Sequence, residues 1–164
     1  MKQSLAAIAV SGALFAAGCA VSGAGPETAA RRDASPRPPA EGVVLGALAN
    51  AALPKGACGM VLWSLDEEKP APVFRYLSGK AGEIFVDGKP VALERVDANG
   101  ASAYGVFENQ TFRSESGLKV DVAVHFSLGF DGGNYLERGL VTVETGDGWR
   151  TVAPSAGLAG CRSK

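Results

Sequence analysis

The chain has 164 residues, a formal net charge of −1 and a single histidine. That length allows one domain, or at most two small ones. The near-neutral charge argues against a nucleic-acid partner, which usually requires a basic stripe. The lone histidine and two methionines leave little material for a cofactor site, and we expect no cofactor.

The first predicted element is an N-terminal export signal. Lys2 precedes an apolar run, Leu5–Ala17, that has the length of a signal core and is shorter than the roughly 20 residues of a spanning helix. The small residues before Cys19 resemble the lipobox of type II signal peptides. This resemblance implies that residues 1–18 are removed and that Cys19 carries a lipid. The alternative is an ordinary secretory signal cut after Gly18 or nearby, with Cys19 unmodified.

The residues after Cys19 bear on localisation and on the tether. In lipoproteins of this kind, Asp directly after the cysteine implies retention in the inner membrane, whereas Ala20 stands here. The resemblance therefore implies a lipid anchor in the outer membrane, facing the periplasm. Residues 19–42 contain four prolines and no apolar periodicity, so we expect a flexible linker.

Residues 43–54 are predicted to form one short helix. Their larger apolar side chains fall at helical spacing, and Pro54 ends the run. The alternative is an apolar segment without regular structure that leads into the following domain.

The cysteine count agrees with the lipid assignment. The chain has three cysteines, and an odd number in an exported protein requires an explanation. If Cys19 carries a lipid, Cys58 and Cys161 remain as a pair outside the cytosol, where disulfides persist. We therefore predict a Cys58–Cys161 disulfide that closes the domain, with two buried free thiols as the alternative.

Residues 55–164 show period-two patterns separated by turn signals, which indicate an all-β domain. Every second residue of Leu118–Leu128 is a large apolar one, with Lys119, Asp121, Ala123, His125 and Ser127 on the other side, and Asp87–Gly88 predicts a tight hairpin turn. We expect eight or nine short strands in a small antiparallel barrel or sandwich. The predicted strands are Gly59–Leu65, Val73–Leu77, the two arms of Glu83–Val96, Ala103–Phe107, Gln110–Ser114, Leu118–Leu128, Gly139–Thr145 and Trp149–Ala153, with a turn at Asp97–Gly100.

We expect no metal site. His125 lies on the polar side of its strand and has no second imidazole at the spacing of a zinc site, so we interpret it as a surface residue. The loop 131–137 offers three oxygen-bearing side chains but lacks the alternating ligands of an EF-hand. Trp63 and Trp149 could form a binding surface, although core packing is the default interpretation.

No nucleophilic constellation is visible either, and we predict that the protein is not an enzyme. Ser102 misses the GxSxG elbow because Tyr104 replaces the final glycine. Ser116 and Lys119 spell SxxK across a turn, whereas in serine acyl-transferases that motif opens a helix.

Two family resemblances add expectations. Cys58–Trp63 and Ala156–Cys161 resemble uncharacterised envelope lipoproteins of alphaproteobacteria over about residues 57–161, which brings no activity. Residues 83–124 are similar in layout to membrane-bound inhibitors of C-type lysozyme. Those lipoproteins have a small disulfide-bearing barrel, in which a serine-containing turn and a Lys-Gly turn enter the enzyme's cleft.

The second resemblance implies a binding role for Ser102 and its neighbour Tyr104, but Glu115–Gly117 stands in place of the Lys-Gly turn. The resulting hypothesis is a non-enzymatic binding or structural module of the cell envelope. Its expected partners are the membrane, through the lipid, and an envelope protein or a peptidoglycan-related partner. The alternatives are a lysozyme-inhibitor-like module and an envelope hydrolase with no recognisable motif.

Overall fold

The computed structural model describes residues 42–65 and 69–164, which form eight strands in a closed antiparallel barrel. Each strand pairs with the next in sequence, and the last pairs with the first. The all-β prediction is confirmed, and the closure decides for a barrel over a sandwich. The strands are β1 (Cys58–Ser64), β2 (Pro72–Leu77), β3 (Gly82–Val86), β4 (Lys89–Ala103), β5 (Val106–Arg113), β6 (Lys119–Phe130), β7 (Gly133–Glu144) and β8 (Arg150–Cys161).

The signal peptide, Cys19 and nearly all of the predicted linker lie outside the described residues. Within the described residues, no helix is long and apolar enough to cross a membrane.

Apolar side chains fill the interior of the barrel. Phe112 packs edge-on against Phe74 and Tyr76, with ring centroids 5.2 and 5.3 Å apart, and all three are fully buried. Such edge contacts suit the charge distribution of aromatic rings. Met60 and Leu62 of β1 belong to the same cluster. An eight-stranded barrel is just wide enough for side chains of this size to fill it, so its centre is a packed core.

The alternation predicted for Leu118–Leu128 holds over only part of β6. Val120, Val122 and Val124 are buried, but register shifts follow Ala123 and Phe126, and Leu128 is 77% exposed. The first shift places its extra residue in β7, so Val124 and Phe126 still face the core. The second shift places its extra residue in β6 after Phe126, which reverses the side to which later residues point, so the pattern in the sequence no longer marks the interior there.

The turn predicted at Asp97–Gly100 lies inside β4, and this prediction was wrong. Two register shifts in the β4–β5 pairing take up the extra residues, and Gly100 adopts a φ of 89° within the strand. The chain turns instead at Tyr104 and Gly105, which splits the predicted strand Ala103–Phe107. A glycine with positive φ fits a bulge as well as a turn, so the sequence alone did not separate the two.

The helix predicted for residues 43–54 was also wrong. The segment runs extended along the barrel: Leu45 bridges to Val86, and the Leu48 N–H donates to the Pro72 carbonyl at 2.7 Å. Leu48 is buried, and Arg75 donates to the Asn50 carbonyl at 2.8 Å. The barrel supplies hydrogen-bond partners and an apolar surface, which outweigh the weak stability of so short a helix.

The predicted disulfide is confirmed. Cys58 opens β1 and Cys161 ends β8, and the two residues pair directly across the strands with Cα atoms 3.9 Å apart. The bond joins positions 103 residues apart and therefore fastens the seam at which the barrel closes.

Candidate binding site at the disulfide end of the barrel

Because successive strands run in opposite directions, the disulfide and the turns after β2, β4 and β6 all lie at the same end of the barrel. We refer to it as the disulfide end. Ser102 and Tyr104, the two binding residues suggested by sequence, both lie there. The Ser116 turn, between β5 and β6, lies at the opposite end.

The turn that carries Tyr104 is sterically fixed. Tyr104 and Gly105 have φ values of 55° and 75°, as both central residues of a type I′ hairpin turn require. A Cβ on Gly105 would lie 1.7 Å from Oγ of Ser78, so this turn packs directly on the turn between β2 and β3. Tyr104 is half-buried against the core, whereas Ser102 on the adjoining strand is exposed.

Arg95 lies beneath this turn and was missed by sequence reasoning. Its guanidinium carbon is 5.0 Å from the ring centroid of Tyr76 and 5.2 Å from that of Phe107. Nη1 donates to the Gly105 carbonyl at 2.9 Å and to Oε1 of Gln110 at 3.0 Å. Two aromatic faces and two acceptors therefore fix a cation at the end of the interior.

The charge of Arg95 is not matched by a carboxylate. Among the described residues no Asp or Glu oxygen lies within 4 Å of it, and neither Nε nor Nη2 makes a hydrogen bond. Gln110 is buried, and its amide nitrogen contacts Met60 Sδ at 3.8 Å. The side chain thus retains donors that an acidic ligand could use, since arginine presents five N–H groups.

Further basic residues surround the disulfide. A groove of about 390 Å³ beside Cys58 is bordered by Lys55 and Lys80. Arg162 follows the disulfide directly and accepts a backbone hydrogen bond from Gly56 at 2.9 Å. The side chain of Lys164 also lies beside Gly56. The acidic side chains at the same end are Asp131, in the turn after β6, and Glu108, whose Oε2 accepts from the Ala101 N–H at 3.3 Å, so basic side chains outnumber acidic ones there.

The remaining candidates from the sequence do not assemble a reactive site. Nδ1 of His125 lies 3.2 Å from Oε1 of Glu108, and the imidazole is 63% exposed, which agrees with a surface residue. Oγ of Ser116 contacts Oγ of Ser114, while Lys119 pairs with Asp121 at 2.7 Å, so the SxxK serine and lysine do not meet.

Within the described residues there is no group of three or more His, Cys, Asp or Glu side chains able to hold a metal ion, including in the loop 131–137. The default of core packing for the tryptophans was wrong. Trp149 is 48% exposed because it lies in the turn between β7 and β8, and Trp63 is half-buried outside the core cluster, on the outer side of β1.

The chain matches no protein-family model, no curated protein and no solved structure. The functional interpretation therefore depends on the residues and the geometry described above.

Proposed function

We propose that the chain is a lipid-anchored, non-enzymatic binding module of the bacterial cell envelope, which holds its partner at the disulfide end of the barrel. The observation that carries this proposal is the position of Arg95. It is fixed between two aromatic rings beneath the turn that carries Tyr104, and it retains unused hydrogen-bond donors.

The rigidity of this end favours binding. The turn at Gly105 is packed on Ser78 and Arg95 is already bonded to the turn carbonyl, so little side-chain or loop entropy is lost when a partner docks. Exposed Ser102 adds a hydroxyl beside the same turn. The basic residues around the disulfide favour a partner that presents carboxylates, either an envelope protein or a peptidoglycan-related polymer.

Site-specific cross-linking tests this assignment. A photo-reactive amino acid at position 102 should capture the partner in intact envelopes. The same group at Gly146, in the turn between β7 and β8 at the opposite end, should capture none. Arg95→Met should abolish the capture from position 102, and Arg113→Met, which removes an exposed arginine at the far end, should leave it intact. Equal capture from both ends would contradict a site at the disulfide end.

The anchor is supported by the resemblance of the N-terminal segment to type II signals and by the cysteine arithmetic, since Cys58 and Cys161 pair with each other. Ala20 supports sorting to the outer membrane. Labelling of cells with a palmitate analogue should modify the wild-type chain and leave Cys19→Ser unlabelled. A Cys19→Ser chain that still takes up the label would refute the assignment.

Lysozyme inhibition is a second candidate. The small closed barrel with one disulfide and the exposed Ser102 beside a turn favour it. However, Glu115–Gly117 lies at the opposite end from Ser102, so the two turns cannot enter one cleft together. We expect the purified chain at micromolar excess to leave C-type lysozyme turnover unchanged. Inhibition that Ser102→Ala abolishes would reverse the ranking of the two functions.

A further inference from the structure

One outer side of the barrel is apolar. The outward side chains of β1, β7 and β8 include Val152, 50% exposed, and Tyr135, also 50% exposed. Leu140 and Leu158 are exposed beside them. We call this surface the apolar face. Its residues are Trp63, Leu65, Tyr135, Leu140, Val152, Pro154 and Leu158.

The strand register makes the apolar face continuous. Leu158 pairs with Tyr135, and Pro154 pairs with Leu140. On the other side of β8, Trp63 pairs with Ala156. Directly opposed side chains lie about 5 Å apart in a sheet, so these pairs form one patch. No charged residue occurs in β1 or in β8 after Arg150. In β7 the exposed pair Glu137 and Arg138 lies between Tyr135 and Leu140, where the register shifts, so the uninterrupted apolar surface follows β8 and β1. Continuous exposed apolar surface of this kind marks an interaction site.

The chain that leads from Cys19 joins the barrel at the border of this patch. Gly42, the first described residue, lies beside Thr151, whose hydroxyl donates to the Val43 carbonyl at 3.0 Å. Thr151 directly precedes Val152 in β8. Since 22 residues separate Cys19 from Gly42, a flexible tether would span about 25 Å. A strand of 12 residues such as β8 is about 40 Å long, which exceeds the span of the tether. The anchored barrel therefore stays close enough for this face to reach the bilayer.

The aromatic side chains on and around the face suit the interface between water and lipid. Trp149 is exposed in the turn that precedes β8, and the rings of Tyr135 and Phe130 pack with centroids 5.1 Å apart. Tryptophan and tyrosine favour the headgroup region because they combine an apolar ring with a polar group. Arg138 is exposed at the bulge of β7, where it could contact anionic headgroups.

We propose that the apolar face docks on the headgroup region of the membrane that carries the lipid anchor. The inference rests on the proposed anchoring at Cys19, which makes docking intramolecular. Effective concentrations reach the millimolar range for a short flexible tether, so a weak affinity of the face for lipid suffices. Docking leaves the polar outer side, formed by β4 to β6, turned toward the periplasm, and the disulfide end free at the rim.

The test uses the mature chain with Cys19→Ser, so that binding does not depend on the lipid. Vesicles of phosphatidylethanolamine and phosphatidylglycerol should bind this chain in flotation and should shift its tryptophan emission to shorter wavelength. Leu158→Asp and Val152→Asp should each weaken binding about tenfold, because each places a charge among exposed apolar side chains. Asn109→Asp adds the same charge to the polar side and should not weaken binding. Unchanged melting temperatures show that the variants are folded.

Three outcomes overturn the proposal. The unlipidated chain fails to bind vesicles, or Asn109→Asp weakens binding as much as Leu158→Asp, or sedimentation shows a dimer that Leu158→Asp dissolves. The last result would assign the face to a second copy of the chain. A wild-type chain that takes up no palmitate label, with vesicle binding of the Cys19→Ser chain intact, would refute the anchor and leave the docking surface standing.

Discussion

The two outer sides of this barrel differ in chemistry although they enclose the same core. The apolar face on β1, β7 and β8 carries mostly aromatic and aliphatic side chains, whereas the middle of the outer side of β4, β5 and β6 carries the polar side chains of Asp97, Asn109, Thr111 and Asp121. We call the latter the polar face. A shallow depression of about 190 Å³ lies on it, bordered by Asp97, Asn109 and Thr111. On the same face, Asp121 accepts hydrogen bonds from Thr111 and Lys119 at 2.8 and 2.7 Å.

This difference separates two constraints on the sequence: the inward residues must form the core, and the outward residues must suit the medium that the surface contacts. Every strand must place apolar side chains inward, because the core is built from all eight of them. The outward side chains do not contribute to the core, so their polarity can match the solvent, membrane or partner that the surface contacts. A charged exterior on β6 is typical of a solvated strand. After Arg150 the exterior of β8 carries no charged residue, which is the less expected feature and requires a separate cause.

The largest expected effect concerns the disulfide, which joins β1 and β8, two of the three strands of the apolar face. The double change Cys58→Ser and Cys161→Ser should lower the free energy of unfolding by about 2–5 kcal/mol, since the bond closes a very long loop. Chemical denaturation of the Cys19→Ser chain measures this, with the reduced parent as a control. If the double variant and the reduced parent both unfold at the same denaturant midpoint as the oxidised parent, the disulfide adds no stability and packing alone holds β1 against β8.

A smaller effect is expected where β8 lies close to β1. A Cβ on Gly157 would lie 2.0 Å from the carbonyl oxygen of Val61, a backbone atom that cannot move aside easily. Gly157→Ala should lower the free energy of unfolding by about 1–3 kcal/mol through overpacking. Gly146→Ala is the matched control, because nothing lies within 4 Å of its added methyl group. Equal stability of the two variants would contradict this close approach of the strands.

The smallest effect is expected on the polar face. Burial by itself raises the pKa of Asp121, but the hydrogen bonds from Lys119 and Thr111 outweigh it, and the pKa lies below its usual value. Asp121→Asn should cost less than about 1 kcal/mol, because the side chains of Lys119 and Asp121 are 32% and 38% exposed and solvent screens the pair.

The pH dependence of that effect has a defined sign. A carboxylate with a lowered pKa in the folded state adds stability above its unfolded pKa, about 4, and this contribution is lost as the pH falls through the folded value. Melting temperatures of the parent and of Asp121→Asn should therefore differ near neutral pH and converge in acid. A difference that persists at acidic pH would show that the ion pair is not its source.

The sequence predicted the features that depend on local patterns. The buried valines of β6 alternate with polar residues, Asp87–Gly88 forms the turn between β3 and β4, and the pairing of Cys58 with Cys161 followed from the cysteine count. For the candidate site, the sequence pointed to Ser102 and Tyr104 through a resemblance. It did not point to Arg95, because one cation in a strand pattern carries no sign of the rings that it will contact.

The tertiary structure alone decided the closure of the barrel, the extended path of residues 43–54 and the extent of the longest strands. β8 runs from Arg150 to Cys161 although its sequence shows no alternation, because small and apolar residues occupy both of its sides. A period of two reveals a strand only when its two sides differ in polarity. The apolar face could not be predicted for the same reason. Local sequence patterns show which residues are apolar. Strand pairing between distant parts of the chain decides which of those apolar residues are buried and which remain exposed on the surface.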